Sequence, residues 1–209
     1  MAETTTTDYP AALEIDYPDR ELDRFTTLLR PLTVIPIAVI LALLTPSSLR
    51  TDSHRIPLGV GAGICPATAL MLLFRRKYPR WWSDWNVALV RFGLRIGAYC
   101  ALLRDEYPST DDEQAVHVRI SYPDAPRELS PWLPLVKWLL ALPHYVLLCC
   151  LGFAAFWCTV AAWFAILFTK RYPRGLFGFV VGVLRWWLRV AAYAFLLTTD
   201  RYPPFSLSP

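Results

Sequence analysis

Two pairs of arginines carry most of the chemistry in this chain. Arg91 and Arg95 recur as Arg185 and Arg189, at the same spacing and each ahead of a tyrosine, Tyr99 and Tyr193. On a helix the members of each pair sit about 40° apart, so each pair forms one narrow cationic stripe. Forked guanidinium donors match phosphate oxygens, and a cytoplasmic leaflet attracts each base by about 1 kcal/mol. More bases stand upstream: Arg75, Arg76, Lys77 and Arg80 before the first pair, Lys170, Arg171 and Arg174 before the second. The candidate residues for anionic lipid or anion binding are therefore Arg91, Arg95, Arg185, Arg189, Lys77, Arg80, Arg171 and Arg174. Two other uses of the stripes stay open. One is snorkelling combined with hydrogen bonds to tyrosines or to the carbonyls of a neighbouring helix; the other is an anion path across the membrane.

No reaction centre accompanies these bases. The chain has no G-x-S-x-G, H-E-x-x-H or P-loop pattern, and its three histidines are scattered. Its five cysteines, Cys65, Cys100, Cys149, Cys150 and Cys158, lie in apolar stretches without metal-ligand spacing and are expected to be small buried hydrophobes. No metal or cofactor is expected. His144, beside Pro143 in an apolar helix, reads as a hydrogen-bonded packing residue, with a proton-relay or ligand role as the alternative. Gly59 and Gly63, like Gly93 and Gly97 and like Gly178 and Gly182, have the small-x-x-x-small spacing of helix packing faces. A lipid-modifying enzyme would have to use Asp16, Asp19 or Asp84, of which only Asp19 has a counterpart, Asp124, and a turn or cap explains both.

The elements that position these residues follow from composition and from an internal repeat. The 209 residues are 55% hydrophobic and 14% aromatic, with only 18% charged, against about 25% charged in soluble domains. Mean hydropathy is +0.34. That balance points to a membrane protein and excludes a disordered, collagen-like or coiled-coil chain. Laid over each other without gaps, Phe74 to Leu103 and Phe168 to Leu197 agree at twelve of thirty positions. Upstream, Arg20-Glu21-Leu22 answers to Arg127-Glu128-Leu129 and Pro36 to Pro143, at an offset of 107 that falls to 94 downstream; the second repeat is thirteen residues shorter there.

In the first half, apolar segments Pro31 to Leu44 and Ile56 to Phe74 flank a polar stretch, Thr45 to Arg55, which reads as a loop between two spans. In the second half Trp138 to Thr169 is uncharged for 32 residues, about 48 Å as a helix against a hydrocarbon core of roughly 30 Å. The repeat predicts the same hairpin there, turning near Gly152, with Pro36 and Pro143 kinking the first helix of each pair. The third helices, Trp81 to Leu103 and Gly175 to Leu197, carry two arginines each near mid-length and are expected to lie in the interface. Lysine and arginine counting supports this: 19 of the 21 bases then fall on the N-terminal side, as the positive-inside rule asks, with only Arg50 and Arg55 opposite. The alternative is an inverted six-span repeat, a transporter plan.

Alternating runs Ala12 to Tyr17 and Val116 to Tyr122 read as strands, pairing with each other or with Thr198 to Tyr202. The expected architecture is an all-α membrane protein with a small β element, internally duplicated. It has a mobile tail (1–8), repeat one (9–108), a linker (109–114), repeat two (115–204) and a C-terminal tail (205–209). Each repeat holds a strand, a transmembrane hairpin and an amphipathic interfacial helix.

Leu13-Glu14-Ile15-Asp16-Tyr17-Pro18, Arg171-Tyr172-Pro173-Arg174-Gly175-Leu176-Phe177, Leu184-Arg185-Trp186-Trp187-Leu188-Arg189 and Asp200-Arg201-Tyr202-Pro203-Pro204-Phe205 resemble a bacterial membrane-protein family, domain of unknown function 4389. The resemblance covers nearly the whole chain and is strongest in the second half; Trp81-Trp82-Ser83-Asp84 departs from it where Gly175-Leu176-Phe177-Gly178 stands later. It implies a membrane location and supplies no catalytic residues. The sequence is thus expected to encode a non-enzymatic multi-pass plasma-membrane protein, termini cytoplasmic and without a cleaved signal peptide. Its expected role is that of a scaffold or accessory subunit whose partners are anionic lipids, a membrane protein complex or further copies of itself, and not nucleic acid. The small transporter or channel is the alternative.

Overall fold

A computed structural model describes residues 9–18, 22–44, 47–51, 54–58, 60–109 and 114–208. The readings made for the N-terminal tail, Asp19, Gly59 and most of the linker lie outside the described residues. In chain order the elements are β1 (Ala11–Ile15), α1 (Arg24–Leu44), β2 (Ser47–Thr51), β3 (His54–Leu58), α2 (Val60–Leu70) with a π-helical turn Met71–Arg75, α3 (Arg80–Cys100), β4 (Val116–Ile120), α4 (Ala125–Glu128), α5 (Pro134–Leu140), α6 (Leu142–Thr169) and α7 (Arg174–Ala194).

The two alternating segments pair with each other. β1 and β4 run antiparallel with Leu13 opposite Val118, Ala11 opposite Ile120 and Ile15 opposite Val116. Ala11, Leu13, Ile15, Val116 and Val118 are buried, while Glu14, His117 and Arg119 point away from the core, as period-two alternation requires. Thr198 to Tyr202, the other possible partner, forms no ladder. β1 packs on α7 and β4 on α3.

α7 is the centre of the molecule. The chain turns through Lys170 to Pro173 between α6 and α7, and His144 near the start of α6 meets Trp186 near the end of α7, so the two form an antiparallel hairpin. α3 meets α7 where Leu184 lies 3.7 Å from the position of a Cβ on Gly97. Leu94, Ala98, Leu103, Ala162, Ile166, Tyr172, Val180, Leu188 and Ala192 fill the space between these helices and the sheet.

Four expectations need correction. First, α6 does not turn at Gly152 but is one helix of 28 residues, about 42 Å long. A lone glycine in an apolar helix costs only about 1 kcal/mol, and neither a proline nor a charged residue follows it before α6 ends. The break falls instead at Ala141, two residues before Pro143, whose missing N–H leaves the Leu139 carbonyl without its helical donor. Second, the segment read as a loop from Thr45 to Arg55 contains strand pairing, Ser47 opposite Leu58 and Thr51 opposite His54, which also takes Ile56 to Leu58 out of the expected second span. Third, none of the five cysteines is fully buried: Cys100, Cys149 and Cys150 are exposed on the protein surface and Cys65 and Cys158 half-buried, because they sit on outward helix faces. Fourth, α7, expected to lie in the interface, is covered over most of its surface, and its length and composition, like those of α6, suffice to cross a membrane.

α6 is the opposite case: its Phe153, Phe156, Trp157, Phe164 and Phe168 side chains are all exposed. Exposed apolar residues on this scale mark a surface that does not face water.

Candidate functional site

The helices that carry the arginine stripes begin alike. α2 and its π-turn end at Arg76, and α6 ends at Lys170, both in the left-handed region at φ 49° and 58°. The reversal satisfies a terminal carbonyl each time: the Arg76 N–H bonds Leu72 O at 3.2 Å and the Lys170 N–H bonds Ile166 O at 2.8 Å. Tyr-Pro follows at both places, proline setting the extended entry, and α3 and α7 start at Arg80 and Arg174.

These entries are held by tyrosines in a crosswise pattern. The Tyr17 hydroxyl, just beyond β1, donates to the Tyr172 carbonyl, and the Tyr122 hydroxyl, just beyond β4, donates to the Tyr78 carbonyl. Arg174 lies 5.3 Å over the Tyr17 ring and Arg80 5.5 Å over the Tyr122 ring. In turn the Tyr78 hydroxyl donates to Leu196 O at 3.0 Å and that of Tyr172 to Ala101 O at 3.4 Å. Burial pushes both phenols above their ordinary range, so they stay protonated donors.

The four stripe arginines turn inward, onto main-chain oxygens. Arg185 Nε donates to Leu13 O at 3.1 Å, and Arg91 Nη2 reaches Val118 O at 3.5 Å, the carbonyls of two residues paired across the sheet. Arg185 also holds Leu207 O at 3.0 Å, and Arg189, only 4% exposed, holds Ser206 O at 3.2 Å and Ser208 O at 2.8 Å. Arg95 donates to Ser109 O at 2.6 Å. The stripes thus fasten β1, β4, the start of the linker and the C-terminal tail onto α3 and α7. Lys77, Arg80, Arg171 and Arg174 are different: all four side chains are exposed at the two helix entries, with Arg75 and Arg76 beside them.

The glycines divide similarly. Gly63 lies in α2. A Cβ on Gly178 would meet nothing within 4 Å, so no described part of this chain packs on that position. On Gly182 it would lie 2.9 Å from Leu207 Cβ and 3.0 Å from Leu207 O. The close approach at Gly182 is to the C-terminal tail instead of a second helix. Gly182→Val is therefore expected to lift the tail from α7 at a cost of about 1–3 kcal/mol. Faster proteolytic trimming after Pro203, with unchanged helix content by circular dichroism, would report it.

Sequence reasoning missed a second polar set. Lys137 on α5 is 0% exposed; its Nζ lies 2.7 Å from Asp200 Oδ1, donates to Thr199 O at 2.7 Å and sits 5.1 Å over the Tyr193 ring. Arg30 on α1 repeats the arrangement. It pairs with Asp105, donates to Tyr99 O at 3.2 Å and lies 4.5 Å over the Tyr99 ring. Burial lowers the Lys137 pKa and the Asp200 carboxylate opposes that shift. The signal was present, since Arg30 and Lys137 share the offset of 107 and both aspartates stand two residues before a Tyr-Pro. His144 is fully buried, accepting from Trp186 Nε1 at 3.0 Å on Nδ1 and stacked on Phe205 at 4.1 Å, while its Nε2 is buried without a partner.

Fold and site together define a mostly helical protein with two small two-stranded sheets and, among the described residues, two helices long and apolar enough to cross a membrane. Residues 134–206, from α5 to the tail, match the family described as Domain of unknown function (DUF4389). The match falls on the half where the resemblance of the sequence is strongest and does not extend over the first half. No curated protein and no solved structure matches the chain.

Proposed function

We propose that this chain is a non-enzymatic integral membrane protein, a scaffold or accessory subunit that gathers anionic lipids and seats a membrane partner on a two-fold platform. The observation that carries the reading is the segregation of its surface. Bare aromatic and aliphatic side chains cover α6 and much of α1, and exposed bases cluster at the two helix entries. Lys77, Arg80, Arg171 and Arg174, with Arg75 and Arg76, are the groups offered to headgroup phosphates, and the inward arginines hold the platform together.

Duplication supports the platform. Aligned on Tyr17-Pro18 and Tyr122-Pro123, Leu13 and Val118 take the same place in the two repeats, and the two pair with each other, as a local two-fold between the repeats requires. The crosswise tyrosine bonds and the matched ion pairs obey the same operation. In an inverted transporter plan this axis would lie at the bilayer midplane. The sheet that it pierces exposes Glu14 and Arg119, and each such charge at the bilayer centre costs about 2.5–3.5 kcal/mol or more. An axis along the membrane normal leaves the sheet in water and sets α1 and α6 against the acyl chains.

The test is lipid selection in nanodiscs containing equal phosphatidylglycerol and phosphatidylcholine. The wild type is expected to enrich phosphatidylglycerol several-fold in its co-purified lipid. Changing the six exposed bases to glutamine is expected to abolish the enrichment, as is raising salt toward about 1 M. Equal headgroup ratios for wild type and variant would end the lipid reading.

A further inference from the structure

The C-terminal tail lies on α7 with its aromatic residue over a buried imidazole. Residues 203–208 belong to no helix or strand, and Pro203-Pro204 has no N–H with which to join one. The tail is held instead by the carbonyl bonds from Arg185 and Arg189 and by the seat of Leu207 on Gly182. Phe205 stacks on His144 with the ring planes 15° apart and keeps its other side exposed. Tyr202 covers the imidazole at 4.8 Å and Trp186 meets it edge-on at 5.8 Å. Because Nδ1 accepts the Trp186 N–H, the ring is neutral with its proton on Nε2, and that N–H is buried without an acceptor.

We infer that His144 and the tail form an acid-sensitive latch: the tail closes over the neutral imidazole, and a proton on His144 releases it. Both nitrogens of an imidazolium are donors. A proton on Nδ1 would face the Trp186 N–H, and the charge would be buried with no anion to pair it, which costs far more than an orphaned neutral donor. The surrounding elements supply no such anion. Lys137 on α5 and Arg185 and Arg189 on α7 are cations, as is Arg201 ahead of the tail, and the Asp200 carboxylate is held by Lys137 and the Ser130 N–H. The Tyr202 hydroxyl donates to Leu140 O at 3.2 Å. The imidazolium must therefore reach water. Trp186 is fixed in α7, whereas Phe205 sits on a segment whose carbonyls can exchange guanidinium for water, so the tail is the part that yields. The open form binds a proton that the closed form does not, and acid shifts the balance toward it. Opening frees the Arg189 guanidinium and bares the Gly182 face of α7.

The experiment is nitroxide mobility at position 208 of the full chain in detergent, with Ser208→Cys labelled in a background whose five native cysteines are alanine. From about pH 7.5 to about 4.5, a range that brackets the ordinary imidazole value near 6.5, the mobile fraction is expected to rise about five-fold or more and to fall again on return to neutral pH, with helix content unchanged. His144→Gln, whose side-chain oxygen can accept the Trp186 N–H but takes no proton, is expected to abolish the pH response. His117→Asn, on the exposed sheet beside Asp16, is expected to respond like the wild type. With isotope-labelled histidine, the ring signal missing from His144→Gln identifies His144 in the parent protein. It is expected to titrate with the same midpoint as the mobility, a readout that holds whether or not the glutamine keeps the tail closed. Mobility indifferent to pH, a response that persists in His144→Gln, a His144 titration that leaves the tail immobile, or helix loss in step with the mobility would each overturn the proposal.

Discussion

Asp200→Asn is expected to destabilise the protein by about 3–5 kcal/mol, a fall in Tm on the order of 10 °C for a chain of this size. The reason is the Lys137 ammonium, which is buried and whose anion is that carboxylate, 2.7 Å away. With asparagine in place the ammonium keeps the Thr199 carbonyl and the Tyr193 ring, neither of which carries a full charge. The sign of the pH dependence follows. Burial already lowers the Lys137 pKa and Asp200 pulls it back up, so the variant lowers it further. The folded variant then resists a proton that the unfolded chain binds up to about pH 10.4. Its deficit is full below the folded pKa and shrinks as pH rises toward the unfolded value. Thermal unfolding in detergent from pH 7 to about 10 should therefore show the variant converging on the wild type. Lys137→Met with Asp200→Asn should recover much of the loss at neutral pH, since no unpaired charge remains. A deficit independent of pH would mean that the carboxylate acts through its other contact, the Ser130 N–H at 2.7 Å, and not through Lys137.

How much of this was legible in the sequence depends on whether a feature is local. The strands were, because alternation at Leu13-Glu14-Ile15 and Val116-His117-Val118 is read within five residues; structure added only the choice of partner. The start of α7 was, because Tyr172-Pro173 stops one helix and opens the next. The course of α6 was not. An uncharged run has no periodicity with which to place a turn, and borrowing one from the first half ignored that the thirteen-residue difference removes the turn itself. The arginine stripes were legible as a repeated pattern but not as an orientation. Helical spacing puts Arg185 and Arg189 on one face; that the face is covered by β1 and the tail is a tertiary fact. The buried Lys137 went unread because its partner Asp200 lies 63 residues away, beyond the reach of any local window.

The same distinction gives the second large effect. Arg185→Ala with Arg189→Ala removes four guanidinium hydrogen bonds, one to β1 and three to residues 206–208. Hydrogen bonds to a charged donor contribute about 1.5–3 kcal/mol each, but the tail carbonyls regain water once the tail lifts, so the expected loss is about 2–4 kcal/mol in all. Phe205 should leave His144 with the tail, opening the buried imidazole to solvent and unquenching or shifting the fluorescence of Trp186, which contacts both. Arg171→Gln with Arg174→Gln makes the opposite prediction. These side chains are exposed, so stability should move by no more than about 0.5 kcal/mol, while phosphatidylglycerol enrichment falls. The two double variants thus separate the roles that one arginine-rich sequence pattern had merged. If the inward pair lost lipid selection at unchanged Tm, the guanidinium groups would have to face headgroups in the bilayer, and the platform drawn around their carbonyl bonds would be wrong.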